Sequence, residues 1–339
     1  MKHLTTVFVL LSFFLLPGIV VTPENQSQTA YARSGPSARD LEDLYDEVWR
    51  LVDNYFLFRD RLDSWDSWRH RFDGALRTTD QAETAINDML DSLSDEYTYY
   101  RNQKATEKRK ELGKSRHVVE GRRLATGIGY LRISTFNSDN TLEETRSALL
   151  ELRAAHGYII DLRDNWGGSI DTAFDVFSLL ANQGKFVTME GTSSEKSYRE
   201  ELVLEQDCEL DIVGDEQIRT NRNLNLTGLK PMAILVNSRT KSAAEMLAGS
   251  LKDNGRAILV GETTFGKGIV QRVWDFPNQT SIKISSAFFY LPSGKAVHRI
   301  GLKPDVQVGP SPHGAQDKQL SQASELLRRG LVSMLSRPR

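Results

Sequence analysis

The stretch Asn237–Gln271, NSRTKSAAEMLAGSLKDNGRAILVGETTFGKGIVQ, decides how the chain is read. It reads as strand end, tight turn, helix, turn, strand, turn, strand. Ser242-Ala-Ala-Glu245 has the form of a capping box, with Ala244, Leu247 and Leu251 forming an apolar stripe behind it. A serine in that place meets the positive end of the helix dipole. The next amide, on Ala243, has no partner within the helix and can donate to a developing oxyanion. The plain alternative is that Ser242 only caps a helix. Lys267 sits in a glycine-flanked turn further on. A lysine acts as a base only where its ammonium is disfavoured by desolvation or by a neighbouring cation. Phe265, Gly266 and Gly268 around it suit a dry pocket. Ile269 and Val270 continue as strand, so Lys267 and Gln271 point the same way, and Gln271 can hold the amine by a hydrogen bond. Here the plain alternative is a surface lysine in a turn.

Upstream, Met232–Val236 is a buried strand that delivers the chain to this stretch. Before it, 128–133 alternates like a strand, Thr141–Ala154 is an amphipathic helix with Leu142, Thr145, Leu149 and Leu152 on one side, and Tyr158–Leu162 is an apolar strand. That strand ends in Arg163-Asp-Asn-Trp-Gly-Gly168, followed by a helix over Asp171–Leu180. Gly167-Gly168 after a strand end can expose backbone amides, or can simply make the turn. This rhythm predicts an α/β core. The segment 186–229 is polar and irregular, and short strands are expected in it. Downstream, Thr280–Ile284 and Ala287–Leu291 read as two strands, and Lys318–Leu335 as a terminal amphipathic helix.

Toward the N-terminus, Leu41, Leu44, Val48, Leu51, Val52 and Tyr55 recur at three- and four-residue spacing, which predicts a helix with one apolar face. Further helices are expected over Ser64–Leu76, from Thr79 as N-cap to Leu93, and over Lys104–Lys114. The aromatic side chains here are read as core. Residues 1–32 have the form of an export signal: Lys2, an apolar run over Val7–Leu16, and Ala30-Tyr31-Ala32 as a cleavage site. The gap before that site is long, so an uncleaved segment anchoring the protein to a membrane is the alternative.

With 339 residues, 39% hydrophobic and 26% charged, the chain is long enough for a real core and too polar for a multi-span membrane protein. A net charge of −2 gives no electrostatic basis for a nucleic-acid partner. One cysteine, Cys208, excludes an intrachain disulfide and a cysteine-based metal site, and the six histidines show no paired spacing, so no cofactor is expected. Gly261-Glu-Thr-Thr-Phe-Gly-Lys267-Gly268 nearly matches a phosphate-binding loop, but the following Ser/Thr is missing and a strand follows where a helix is required. Ser238-Arg-Thr-Lys241 and Ser193-Ser-Glu-Lys196 both fit SxxK. With Ser138-Asp-Asn140 they fall in the wrong order for penicillin-binding enzymes, and there is no KTG. His298 is the base candidate if Lys267 is not.

Several segments together resemble the C-terminal processing, or tail-specific, serine peptidases of family S41. They are Gly129-Tyr-Leu-Arg-Ile133, Asp161-Leu-Arg-Asp-Asn-Trp-Gly-Gly168, Val236 through Ser242-Ala-Ala-Glu245, Leu247-Ala-Gly249 and Asp253-Asn-Gly-Arg256. Gly261-Glu262, Phe265-Gly-Lys-Gly268, Gln271, Tyr290-Leu-Pro-Ser-Gly294 and Gly301-Leu-Lys-Pro-Asp305 continue in family order across about 127–309. The resemblance implies Ser242 as nucleophile, Lys267 as general base, Gln271 as its orienting partner, oxyanion donors at the amides of Gly168 and Ala243, and Asp253 in a supporting place. It implies protein or peptide substrates. Departures are the short connection Lys114–Thr126 where relatives carry a PDZ domain, Arg239-Thr240-Lys241 where small residues are usual, Trp166 where proline is common, and a longer 186–229.

The expected fold is α/β, a helical N-terminal region followed by a peptidase core of S41 (ClpP/crotonase-like) type. The expected segments are a signal peptide or anchor over 1–32, a linker over 33–38, a helical domain over 39–115, the core over 116–309 and a tail with a helix over 310–339. The expected activity is that of an exported, extracytoplasmic serine endopeptidase, in the periplasm or a comparable compartment. A non-catalytic scaffold on the same fold is the alternative, and the oligomeric state is left open.

Overall fold

A computed structural model describes residues 36–114, 117–193, 196–206, 208–221, 225–312 and 314–335. The segment 1–32, read as an export signal or anchor, lies outside them. The chain begins with helix α1 (Ala38–Tyr55), capped by Ser37. A one-turn helix α2 (Asp66–Arg69) and α3 (Thr79–Asp91) follow. The expected long helix over Ser64–Leu76 is thus a single turn followed by irregular turns, and the cap of α3 is Thr78 rather than Thr79, its hydroxyl accepting the N–H of Gln81. Strand β1 (Tyr99–Arg101), helix α4 (Gln103–Gly113) and strand β2 (Val119–Arg123) lead to the core.

The core alternates as predicted: β3 (Gly129–Ile133), α5 (Thr141–Glu151), β4 (Tyr158–Asp161) and α6 (Ile170–Leu180). The polar segment expected to hold short strands forms two regular hairpins, β5 (Gly184–Thr192) with β6 (Ser197–Leu204), and β7 (Cys208–Val213) with β8 (Glu216–Asn221). Their polar character reflects solvent on one side of an antiparallel sheet. Then come β9 (Met232–Val236), α7 (Ala243–Asp253), β10 (Ile258–Gly261), β11 (Ile269–Asp275), β12 (Ser281–Tyr290), β13 (Val306–Gln307) and α8 (Lys318–Leu335). The two strands expected over Thr280–Leu291 are one strand. An extra residue at Ser285-Ser286 slips its register against β11, because Ala287 pairs with Val270 but Ser285 with Gln271. Buried positions change parity there, from Ile282 and Ile284 to Ala287 and Phe289.

Six strands form one sheet in the order β13-β10-β9-β4-β3-β2, parallel except at β2. The other sheet is antiparallel, running β1-β12-β5-β6-β7-β8 with β11 also paired to β12. The main core joins the parallel sheet, α6 and α7 to the antiparallel sheet through Ile160, Ile234, Phe177, Leu247, Phe186 and Phe289. Helix α8 covers the other face of the parallel sheet with Ala323 and Leu327. The N-terminal helices bury Val48, Val52, Phe56 and Ile86 together with Ile282 and Ile284 of β12, so their core is completed by the second sheet. No described helix is long and apolar enough to cross a membrane.

Candidate active site

Three neighbouring parallel strands, β4, β9 and β10, deliver three loops to one edge of the sheet. The carboxyl ends of parallel strands are where α/β folds gather functional loops. The first loop carries Asn165–Gly168, the second Ser242, and the third Lys267.

Hydrogen bonds lock the first two loops together. Asn237 Nδ2 donates to Asp164 Oδ1 at 2.8 Å, and Asp164 N–H donates back to Asn237 Oδ1 at 3.0 Å. Thr240 Oγ1 donates to the Leu162 carbonyl at 2.8 Å, and the Lys241 N–H to that of Asn165 at 3.0 Å. Asn165 is fully buried and accepts the Gly167 N–H at 2.8 Å. Gly167, at φ +88°, lies directly on the serine turn: a Cβ there would come within 2.9 Å of Ser242 Cβ and 3.0 Å of the Ala243 nitrogen. Gly168, at φ +151°, is pressed onto the backbone of Phe136, 2.3 Å from where its Cβ would be. Only glycine fits both places.

Ser242 itself has φ +57° and ψ −127° at the start of α7. A non-glycine residue in this region carries strain on the order of 1–3 kcal/mol. The N–H groups of Gly168 and Ala243 make no hydrogen bond to the described residues; Ala243 directly follows the serine, and Gly168 follows Gly167, which packs on the serine turn.

The third loop is tied to the serine turn by Glu245, which has no solvent exposure. Its Oε2 accepts the N–H of Ser242 and the N–H of Lys267, each at 2.9 Å. Its Oε1 accepts the N–H of Gly266 at 2.7 Å and the hydroxyl of Thr264. Burial raises its carboxyl pKa, and these donors oppose the rise. The sequence supplied Glu245 only as a capping-box residue. That it also holds the lysine loop is a tertiary fact.

Lys267 Nζ donates to Gln271 Oε1, and Gln271 Nε2 donates to the Tyr97 carbonyl. Because its amide nitrogen is committed to Tyr97, Gln271 presents an acceptor to the lysine. The Lys267 ammonium also lies 5.0 Å from the centre of the Tyr97 ring. Burial, and next the charge of Lys241, push its pKa from 10.5 down to about 8; Asp95, Glu245 and Glu96 pull the other way. At pH 7.5 roughly a quarter of the lysine is then neutral, against about one in a thousand for an ordinary lysine.

The structure therefore gathers Ser242, Ala243, Lys267, Gln271 and the Gly167-Gly168 pair. Asp253 stands apart at the far end of α7, where its Oδ2 accepts the Ser293 N–H at 3.1 Å. His298 packs against Gly268 with a buried, unpartnered Nδ1, and burial lowers its pKa. Two further groups gave no local signal in the sequence. Tyr97 comes from the N-terminal region. Lys283 shares the β11–β12 face with Gln271, because Lys283 pairs with Val273 and Ser285 with Gln271. Burial first, then Lys267, lowers its pKa to about 7.

Residues 127–308, more than half the chain, match the family described as Peptidase family S41. A chloroplastic C-terminal processing peptidase of Tetradesmus obliquus is 34% identical over 185 residues, 54% of this chain and 35% of that protein. A carboxy-terminal-processing protease of Bartonella bacilliformis is 32% identical over 192 residues, 55% of this chain and 40% of its own length. The matched part thus spans well under half of these curated relatives. Among solved structures, a photosystem II D1 C-terminal processing protease superposes with TM-score 0.61 at 20% identity, covering 85% of this chain and 97% of that one. A lipoprotein from Streptococcus agalactiae does so with TM-score 0.62 at 16% identity, covering 92% and 99%. At these identities the likeness speaks for the fold.

Proposed function

The chain belongs to peptidase family S41, and from that membership we propose that it is a serine endopeptidase working through Ser242 and Lys267 on protein or peptide substrates. The observation that carries this reading is the Glu245 carboxylate, whose one oxygen accepts the amides of both Ser242 and Lys267. It fixes a base-bearing loop against a strained serine.

The neutral amine of Lys267 takes the proton of Ser242 Oγ as the oxygen attacks the substrate carbonyl. The amides of Gly168 and Ala243 donate to the resulting oxyanion. Lys267, now an ammonium, returns its proton to the leaving amine, and the C–N bond breaks to leave an acyl-enzyme. Water, deprotonated by the same lysine, resolves the ester and regenerates the hydroxyl. Gln271 Oε1 accepts one N–H of Lys267 throughout and so holds the amine in place. Asp253 supports the Pro292-Ser-Gly294 turn through the Ser293 N–H and takes no part in the proton transfers. Relatives named as carboxy-terminal processing proteases support a processing role near substrate C-termini, and the form of residues 1–32 supports export.

The test is cleavage of an unfolded protein by wild type, Ser242→Ala and Lys267→Met. Loss of several orders of magnitude in kcat/KM in both variants is expected. Cleavage by Ser242→Ala at a near-normal rate would overturn the mechanism.

A further inference from the structure

Three side chains on the rim of this site neither attack, carry a proton nor hold the oxyanion in the chemistry just described. Trp166 immediately precedes Gly167-Gly168, Lys241 immediately precedes Ser242, and Phe265 immediately precedes Gly266-Lys267. The fold brings the three together. Lys241 Nζ lies 4.6 Å from the Trp166 ring centre and 4.9 Å from that of Phe265. Trp166 is 64% exposed and Phe265 50% exposed.

Among the described residues no carboxylate pairs with Lys241. The neighbouring basic residue Arg239, by contrast, is bound to Asp164 at 2.7 Å. Lys241 is therefore held by two aromatic faces with its charge unneutralised, within one residue of the nucleophile. Two large aromatic side chains left in water side by side are a common mark of a binding surface. A cation between them sets the polarity of what binds.

We propose that Trp166, Lys241 and Phe265 form a carboxylate-binding subsite beside the scissile bond. The ligand chemistry is a peptide carboxylate, either an Asp or Glu side chain next to the cleaved bond or a free C-terminus just beyond it. The carboxylate pairs with the Lys241 ammonium, and apolar atoms of the same residue pack on the two rings. This subsite rests on the peptidase reading only for the identity of its ligand as peptide. A charge-assisted contact of this kind is specific because a neutral amide in the same place leaves the ammonium unpaired.

The test uses the full chain carrying Ser242→Ala, so that binding is read without turnover. Three fluorescent probes of one apolar heptapeptide sequence are titrated by anisotropy: the free acid, its C-terminal amide, and the amide with one internal Asp. At least tenfold tighter binding of the acid, the Asp peptide, or both over the neutral amide is expected, and which of them gains tells terminal from side-chain carboxylate. Added Lys241→Met should bring the three within about twofold, and Lys241→Glu should reverse the order, while thermal unfolding reports that each variant is folded. The preference should weaken as salt rises. Equal binding of all three probes, no binding of any at millimolar concentration, or a preference that survives Lys241→Met would overturn the subsite. None of these outcomes bears on whether Ser242 cleaves, which the unfolded-protein assay reads separately.

Discussion

Glu245 and Lys267 meet through a partly buried hydrogen bond, the backbone N–H of Lys267 donating to the Glu245 carboxylate at 2.9 Å. The oxygen that receives it also receives the N–H of Ser242. Glu245→Gln replaces one acceptor oxygen by an NH2 group that faces donors. Each buried donor left unpaired costs about 1–3 kcal/mol. Urea unfolding should show Glu245→Gln less stable by at least about 2 kcal/mol, and kcat/KM on a peptide should fall by more than about tenfold at a temperature where the variant is folded. An unchanged urea midpoint together with unchanged kcat/KM would remove Glu245 from its positioning role.

The depressed pKa of Lys267 sets a pH profile. The base acts as the neutral amine, so kcat/KM should rise with pH through about 8 and level off above it. Lys241 is the second cause of the depression, after burial. Lys241→Met should therefore move the rising limb to higher pH. The sign for stability follows from the same shift. Well below pH 8 Lys267 is charged in both folded and unfolded chains and its burial costs the most, and that cost fades as pH rises through about 8 toward 10.5. A rate profile that falls through pH 8, or one that Lys241→Met leaves in place, would contradict this account.

Ser242 holds a backbone conformation suited to glycine, φ +57° with ψ −127°. Ser242→Ala keeps the strain and Ser242→Gly relieves it. Both variants should be inactive, yet the glycine variant should be the more stable of the two by about 1 kcal/mol. Thermal melts of the pair measure this directly. A glycine variant less stable than the alanine variant would mean that the turn is unstrained.

Gly167 packs where a methyl group would press on the Lys241 carbonyl at 2.8 Å and on Ser242 Cβ at 2.9 Å. Gly167→Ala should push the serine turn away from the lysine loop. Misplacement on the order of 1 Å can cost about a hundredfold in rate, so kcat should fall at least that far. Circular dichroism should still report folded protein. Wild-type kcat in Gly167→Ala would show that the turn has room to give.

Much of the core was legible because its signals are local. The buried run Met232–Val236, the glycine pair after Tyr158–Leu162 and the capping box at Ser242 each sit within a few residues, and the elements formed there. The hairpins over Gly184–Asn221 were legible only as short strands, because strands with one wet face carry polar residues that blur the alternation, although each pairs with its neighbour in sequence. The single strand Ser281–Tyr290 was read as two because the extra residue at Ser285-Ser286 breaks the alternation on which strand reading depends.

The sequence by itself determined which groups are present and in what local setting: a serine at a helix start, a lysine between glycines, and a glutamine four residues on along a strand. Only the tertiary structure decided their state. Tyr97 reaches Gln271 from the loop before β1, Glu245 clamps two loops at once, and Lys241 rests between Trp166 and Phe265. The physical reason is that desolvation and charge act through space. The pKa of Lys267 is depressed because the folded chain excludes water from it and places the Lys241 ammonium nearby, and neither effect can be read from the residues beside it alone.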